Sequence, residues 1–308
     1  MRDVLADWMR SARERTLALA AGLSGDQLLG PRLAIVNPPL WELGHVGWFQ
    51  ERWVLRHAAG AAAVRADGDA LYDSAPVAHD TRWSLPLPGL PETLGYLREV
   101  EARVLARLER GAADPYFVRL SVFHEDMHFE AMAFTRQTLG LAAPPLPGAS
   151  AAPAGGGDLP GDVEIPGGSF LLGADRGEEF VFDNEKWAHP VALVPFRISR
   201  APVTQGRFAE FVADGGYRGR ALWSEDGWRW REAAGAQRPA HWGEAGGGAW
   251  MRRDFDTATA RSARTGRSSW RSPARTCTRT SRRRARPASR RGAGTARGGR
   301  EPALPVAR

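Results

Sequence analysis

The sequence has a single cysteine, Cys277, among its 308 residues, which excludes an internal disulfide framework and a cysteine-based zinc site. It contains no run of 18 apolar residues, so it predicts no transmembrane helix. Residues 1–16 lack the apolar stretch and the small-residue cleavage site of a signal peptide, so we expect a cytoplasmic protein. With 43% hydrophobic residues the chain can still bury a core, and its length fits two domains.

Acidic residues are almost missing from the end of the chain. Residues 257–308 hold 15 arginines and one acid, Glu301, a formal charge of +14 that leaves −7 for residues 1–256. The net charge of +7 therefore belongs to one segment. This segment also has almost no branched aliphatic residues and no hydrophobic period, so it is predicted to be a disordered arginine-rich tail. Arginine that is not interleaved with aromatic residues gives only non-specific affinity, so we expect no specific nucleic-acid partner.

Helical hydrophobic spacing runs through the first 140 residues. It predicts four long helices, over residues 3–22, 40–57, 91–110 and 115–139. Asn37-Pro38-Pro39 is a start signal, because asparagine can cap a helix and proline fits its first turn. Connections that permit antiparallel neighbours then predict a four-helix bundle over residues 1–140.

A different pattern follows the bundle. Residues 141–161 are mostly Ala, Pro and Gly, which is typical of a linker. Residues 162–256 predict a partial, irregular α+β domain. Its expected elements are short strands over 163–173, a strand over 191–198 and a helix over 205–214, followed by a loop-rich stretch that contains several tryptophans.

Two histidines one helical turn apart form the strongest chemical signal. In His124-Glu125-Asp126-Met127-His128, residues i and i+4 share a face of the fourth predicted helix, so two imidazoles can bind one metal ion. The alternative is two unrelated histidines, although the chain has only seven. The same motif matches the H-E-x-x-H pattern of zinc metallopeptidases, in which the glutamate is the general base.

A third ligand is not settled by spacing. His189 and His241 both lie across the predicted linker, whereas His45 lies in an aromatic-rich segment of the second predicted helix. A lone buried histidine is more often a hydrogen-bonded core residue than a ligand, so the role of His45 stays open at this point. Imidazole suits Fe, Zn, Cu and Ni alike, so the ligand type does not select the metal.

Both halves of the chain resemble one known family. The N-terminal half resembles the DinB-like domain of the ergothioneine-biosynthesis sulfoxide synthases in residues 37–49, NPPLWELGHVGWF, and residues 123–128, FHEDMH. The second half resembles the sulfatase-modifying-factor (formylglycine-generating, C-type-lectin-like) fold in segments such as 165–170, IPGGSF, and 202–204, PVT. These two domains in this order are specific to that family, and the resemblance covers residues 1–256.

This resemblance implies an iron(II)-dependent oxidoreductase with a three-histidine non-haem centre formed by His45, His124 and His128. It implies O2-dependent attachment of sulfur, as a sulfoxide, to the imidazole ring of hercynine, the trimethylated betaine of histidine. Neutral ligands would leave Fe(II) cationic and open to O2 and a chalcogen nucleophile. The expected partners are therefore small molecules: hercynine, O2 and a selenosugar or cysteine-type thiol.

Two departures from the family pattern favour selenium. The sulfoxide synthases often carry Gln-Gln between the helix histidines, where this chain has Asp126-Met127. The loop that binds their thiol substrate is often arginine-rich, whereas residues 71–83 of this chain contain a single arginine, Arg82. Both features resemble the selenoneine synthases, which use a selenosugar, and a neutral sugar needs no arginine clamp. We therefore predict selenoneine-type chemistry, with ergothioneine-type chemistry as the alternative, and substrate-binding roles for Arg82 and Met127.

Several family segments are missing from the second domain. These are of the Arg-Leu-Pro-Thr-Glu, Gly-Asn-Val-Trp-Glu and Arg-Gly-Gly-Ser types, and the family's catalytic tyrosine would lie in the same region. We therefore leave the catalytic residues unassigned and expect weak or absent catalysis in this copy. Because the composition changes abruptly near residue 256, we expect residues 257–308 to be a reading-frame-shift product; the alternative is a genuine basic tail.

Three other enzyme functions compete with this interpretation. One is a DinB-like zinc-dependent thiol transferase or hydrolase that uses the same histidines, and another is a zinc metallopeptidase. The third, formylglycine generation, requires active cysteines for copper, and Cys277 in the tail is no substitute. We expect Glu125 to lie next to the site or on the surface and not to act as a general base.

Overall fold

The computed structural model describes residues 2–146, 159–245 and 250–261. Within these ranges the chain forms two compact units. The first contains residues up to 207 together with the segment that starts at 241, and the second contains residues 208–240. The predicted tail lies outside the described residues from 262 onward, as does most of the predicted linker. None of the described helices is long and apolar enough to cross a membrane.

Four long helices form the N-terminal bundle, as the hydrophobic spacing predicts. Asp114 caps the last of them by accepting a hydrogen bond from Tyr116 N, and Gly140 ends it in a left-handed conformation. A five-residue helix, α3, lies in the stretch expected to be irregular. The helices are α1 (Arg2–Ala20), α2 (Pro39–Gln50), α3 (Gly68–Tyr72), α4 (Leu90–Glu109) and α5 (Pro115–Leu139).

The core of the bundle consists of aliphatic and aromatic side chains from all four long helices. Helix α1 packs against α5, and α2 packs against both α4 and α5. This packing brings the middle of α2 against the middle of α5. Burial of such side chains removes apolar surface from water and stabilises the bundle. Representative members with at most 2% exposure are Leu5, Met9, Trp41, Leu97, Val100 and Val118.

The second predicted helix, over 40–57, is one continuous element with a change of winding. Its α-helical part ends at Gln50, and Glu51–His57 continue as a π-helix. Rare π-helical turns inside helices are found mostly near functional sites, because they shift the side chains that follow. Here the change begins six residues after His45.

Within the described residues, seven strands form three small antiparallel sheets. The predicted strand over 191–198 is wrong: it is two strands, β3 and β4, separated by Val194 and Pro195, because proline cannot donate to a strand ladder. β1 pairs with β4, β2 pairs with β3, and the third sheet has the order β5-β6-β7. The strands are β1 (Asp162–Ile165), β2 (Gly168–Leu172), β3 (His189–Leu193), β4 (Phe196–Ser199), β5 (Trp242–Glu244), β6 (Trp250–Asp254) and β7 (Thr257–Arg261).

Strand β7 extends the regular structure past the predicted limit of the second domain at residue 256. The turn before it is attached to the end of α5, since Gln137 donates to Arg253 O (2.8 Å) and accepts from Phe255 N (2.6 Å). The segment around Val181 is attached to the start of α5, where the Tyr116 hydroxyl donates to its carbonyl (3.2 Å). Segments that follow the predicted linker therefore contact both ends of the helix that carries the paired histidines.

The second unit is built around a small aromatic core. Phe208, Tyr217 and Trp223 are buried, and the Trp223 indole donates to Gly216 O (2.8 Å). The stretch expected to be only loop-rich contains a helix, α7 (Glu225–Ala233), which Ser224 caps by accepting a hydrogen bond from Gly227 N. The short helix expected over 205–214 is confirmed as α6 (Gln205–Ala213).

Candidate metal centre

His45 lies in the middle of α2 and is only 3% exposed. Its ring stacks on Trp41, with centroids 4.7 Å apart and planes 11° apart. Its Nδ1 lies 2.7 Å from the carbonyl oxygen of Tyr72, the last residue of α3. Because a carbonyl can only accept, Nδ1 carries the proton and the lone pair of Nε2 is left for another partner.

The two histidines of α5 meet His45 inside the bundle. The ring centroids are 4.4 Å apart for His124 and His128, 5.0 Å for His45 and His124, and 4.6 Å for His45 and His128. One ring nitrogen from each residue can be chosen so that all three lie within 4.8 Å of one another. Tetrahedral or octahedral metal ligands about 2.0–2.2 Å from an ion lie at comparable spacings. The three residues that the resemblance selected are thus brought together.

Each imidazole is held in a different way. His128 Nδ1 is hydrogen-bonded to the carboxylate of Glu42, which also requires the proton on Nδ1. His124 lies flat against Phe49, with centroids 3.5 Å apart and planes 5° apart, and its buried Nδ1 has no hydrogen-bond partner among the described residues. Two of the three rings are therefore fixed in the tautomer that leaves Nε2 free.

Burial keeps His45 and His124 neutral. It lowers the pKa of His45 to about 4, and repulsion from a protonated His128 acts in the same direction. Burial likewise lowers the pKa of His124 well below its ordinary value, and His128 and His45 add to the effect. A neutral imidazole is the form that binds a metal, so at physiological pH these two rings need not lose a proton to become ligands.

A chain of polar groups leads away from His128. Glu42 also accepts from Asn37 Nδ2 (2.6 Å), and Asn37 Oδ1 accepts from Arg82 Nη1 (2.6 Å). Burial alone would raise the pKa of Glu42, but the hydrogen bonds from His128 and Asn37 outweigh it and lower the pKa. The helix-capping role expected for Asn37 is therefore wrong: Pro38 occupies the cap position, and the amide connects Glu42 to Arg82.

The two residues predicted to bind substrate lie in different surroundings. Arg82 is partly buried, and its guanidinium lies 3.9 Å from the centroid of Trp41, the same ring that stacks on His45. Met127 precedes His128 on α5 and is 51% exposed. The Trp41 ring thus contacts both His45 and Arg82. The role of Met127 stays a prediction.

Glu125, the glutamate of the H-E-x-x-H motif, is 1% exposed and forms a buried ion pair. It accepts hydrogen bonds from Arg13 through both oxygens, at 2.8 Å and 3.1 Å. Burial by itself would lower the pKa of the Arg13 guanidinium, but the charge and hydrogen bonds of this carboxylate outweigh burial and raise that pKa. A carboxylate fixed in this way is unsuited to act as the general base of a zinc peptidase. The structure places it in the interior and not on the surface.

Three partners of the site were absent from the sequence prediction: Glu42, Asn37 and the carbonyl of Tyr72. A local signal existed for Glu42 alone, because it precedes His45 by three residues and so shares a face of α2 with it. The contact with His128 spans 86 residues and has no sequence signature.

Comparison with known proteins adds a second kind of observation. The DinB superfamily model matches residues 9–134, and the model of the sulfatase-modifying factor enzyme 1-like domain matches residues 149–289. The chain is 36% identical over 253 residues to the hercynine oxygenase of Mycolicibacterium smegmatis, and the aligned stretch covers 80% of this chain and 58% of that protein. It is 35% identical over 256 residues to the hercynine oxygenase of Mycobacterium tuberculosis, which covers 79% and 58%.

The two domain matches and the similarity to hercynine oxygenases fit the ergothioneine-type sulfoxide synthase family. The two matches confirm the order of domains expected from the resemblance, with a helical DinB domain before an α+β domain. The chain spans about 58% of the length of the curated relatives it matches. The second domain's match continues to residue 289, beyond the limit expected at 256. A shorter stretch of 57 residues is 44% identical to the formylglycine-generating enzyme of Streptomyces coelicolor, or 18% of each chain.

Proposed function

We propose that this protein is an Fe(II)-dependent oxygenase that joins selenium or sulfur to the imidazole ring of hercynine. The observation that carries the proposal is the convergence of His45, His124 and His128 to within 4.8 Å, in a chain that is similar to hercynine oxygenases. In the overall reaction the ring C–H bond and the S–H or Se–H bond break and the C–S or C–Se bond forms. One oxygen atom of O2 ends on the chalcogen and the other leaves as water.

The donor set fits a non-haem iron ion. Three neutral imidazoles add no charge and fill at most three coordination positions, and a bound Fe(II) would supply the open positions and the electrons needed to activate O2. The protein's contribution is to hold the ring nitrogens: Tyr72 O and Glu42 fix two tautomers, and Phe49 holds the third ring in plane. Imidazole also suits Zn(II), so the metal has to be tested directly.

The surroundings of His45 support a cationic aromatic substrate. Hercynine carries a trimethylammonium group, a carboxylate and an imidazole, and the histidines lie among tryptophan and phenylalanine rings of the kind that attract quaternary ammonium groups. Arg82 lies over Trp41, and its buried Nε has no hydrogen-bond partner among the described residues, so it can receive a carboxylate. We assign hercynine's carboxylate to Arg82, and the substrate contact of Met127 remains a prediction.

Metal binding by the full-length chain is the first test. Anaerobic titration with Co(II), a spectroscopic surrogate for Fe(II), should saturate at one ion per chain, and hercynine should change the visible spectrum of the bound ion. Replacement of any one of the three histidines by alanine should weaken binding steeply. His189→Ala, at an exposed histidine of β3, is the matched control and should leave binding unchanged. If His45→Ala binds Co(II) as tightly as wild type, the three-histidine centre is wrong.

The chalcogen donor is tested by turnover. With Fe(II) and hercynine present, O2 uptake should be faster with a selenosugar than with γ-glutamylcysteine or cysteine, because residues 71–83 offer a single arginine. The opposite order would exclude the selenium assignment and leave the sulfur one. Zn(II)-loaded protein should consume no O2; hydrolysis of a thiol ester or peptide by that form would instead support a zinc enzyme.

A further inference from the structure

The three candidate ligands differ in what holds their second nitrogen. His45 donates to a neutral carbonyl, His124 has no partner for Nδ1 among the described residues, and His128 is bound by a carboxylate. Glu42 is 1% exposed, so its charge is one that the fold removes almost entirely from water. Burial of a carboxylate costs free energy unless hydrogen bonds and a nearby positive charge offset it.

The hydrogen bonds that surround Glu42 only partly offset this cost. One oxygen accepts from His128 and the other from Asn37, both of which are neutral groups when the imidazole is a metal ligand. The guanidinium of Arg82 donates to Asn37, which in turn donates to the carboxylate of Glu42. A divalent cation between the three imidazoles would be the missing positive charge. The carboxylate would then interact with the ion through the ring of His128.

We propose that Glu42 is the positioning residue of the metal centre. It orients His128, keeps the proton on Nδ1, makes Nε2 a stronger donor and adds one negative charge beside an otherwise neutral ligand set. Asn37 extends the same chain of hydrogen bonds to Arg82. The carboxylate of Glu42 therefore influences the orientation of both the metal ligand His128 and the substrate-facing guanidinium of Arg82. This inference rests on the proposed metal site and concerns a residue outside the ligand set.

A merely structural role has to be distinguished from this one. Glu42→Gln is nearly isosteric and can still accept from His128 through its amide oxygen, but it removes the charge. Glu51→Gln is the matched control, because Glu51 is also 1% exposed and accepts a 2.6 Å hydrogen bond from the Tyr96 hydroxyl. Neither Glu51 nor Tyr96 is a candidate metal ligand. If Glu42 only fills space and satisfies donors, the two variants should behave alike.

The experiment is Co(II) and Zn(II) titration of the full-length chain by competition with a chelator. Loss of a carboxylate partner of a metal-bound histidine typically weakens affinity about 10–100-fold, so this is the loss expected for Glu42→Gln. Glu51→Gln should stay within about threefold of wild type, a difference too small to reflect a lost ligand partner. Glu42→Asp, which restores the charge on a shorter side chain, should recover part of the affinity.

A second measurement covers the case in which Glu42→Gln does not fold. In Zn(II)-loaded wild type, the Nδ1 proton of His128 should resonate further downfield than that of His45, because a carboxylate is a stronger acceptor than a carbonyl. Equal shifts, or equal metal affinity of Glu42→Gln and Glu51→Gln, would overturn the proposal. If His128→Ala itself keeps wild-type affinity, the metal site fails instead, so the two failures are distinguishable.

Discussion

The buried pair of Arg13 and Glu125 offers the sharpest test of how the bundle is stabilised. Arg13 is 3% exposed and donates four hydrogen bonds: two to Glu125, one to Leu97 O (3.0 Å) and one to Gln50 Oε1 (3.1 Å). These contacts join α1 to α2, α4 and α5. Replacing Arg13 with methionine keeps much of the apolar volume but leaves the carboxylate of Glu125 buried without a positive partner.

The expected cost is large compared with the stability of a domain. Removing one member of a buried ion pair destabilises a protein by about 3–5 kcal/mol, against a total of about 5–15 kcal/mol. Arg13→Met should therefore cost about 3–5 kcal/mol at pH 8.

Urea unfolding followed by far-ultraviolet circular dichroism measures the effect on the helices. Arg103→Met is the control, since Arg103 makes a half-exposed pair with Glu99 (2.7 Å), for which a cost of at most about 1 kcal/mol is expected. The double variant Arg13→Met, Glu125→Leu removes both charges and should recover much of the loss. The reasoning is refuted if Arg13→Met lies within about 1 kcal/mol of wild type, or if the double variant is less stable than the single one.

Two further predictions concern α2 and its neighbours. Gly44→Ala should destabilise the chain by about 1–3 kcal/mol and weaken Co(II) binding, because its Cβ would lie 2.2 Å from the Tyr72 ring. Gly95→Ala, which has open space around it, should instead stabilise the chain by about 0.5–1 kcal/mol. Urea unfolding and Co(II) titration of both variants measure these effects. Hydrogen bonds from Arg56 and Trp48 lower the pKa of Asp69 to about 2, so its stabilising effect is complete above pH 3.8 and is lost as the pH falls towards 2. The stability difference between wild type and Asp69→Asn should therefore shrink between pH 7 and pH 3, and a difference that grows would contradict the assignment.

Local signals account for the success of the sequence prediction in the bundle. Hydrophobic residues recur at helical spacing, and Asp114-Pro115 and Gly140 mark the two ends of α5, so its bounds follow from neighbouring residues alone. The strand over 191–198 and the helix α7 were predicted less well. Short elements carry few periods of the pattern, and tertiary contacts decide where they begin and end.

The four long helices, and the position of His124 and His128 on one helical face, follow from local sequence, because both properties depend on residues at most four positions apart. The family resemblance that selected His45 is also a property of the sequence. The groups that hold those rings are set by contacts between distant parts of the chain. Glu42 meets His128 across 86 residues, and Arg13 meets Glu125 across 112. Such contacts depend on how helices pack, which no local spacing encodes.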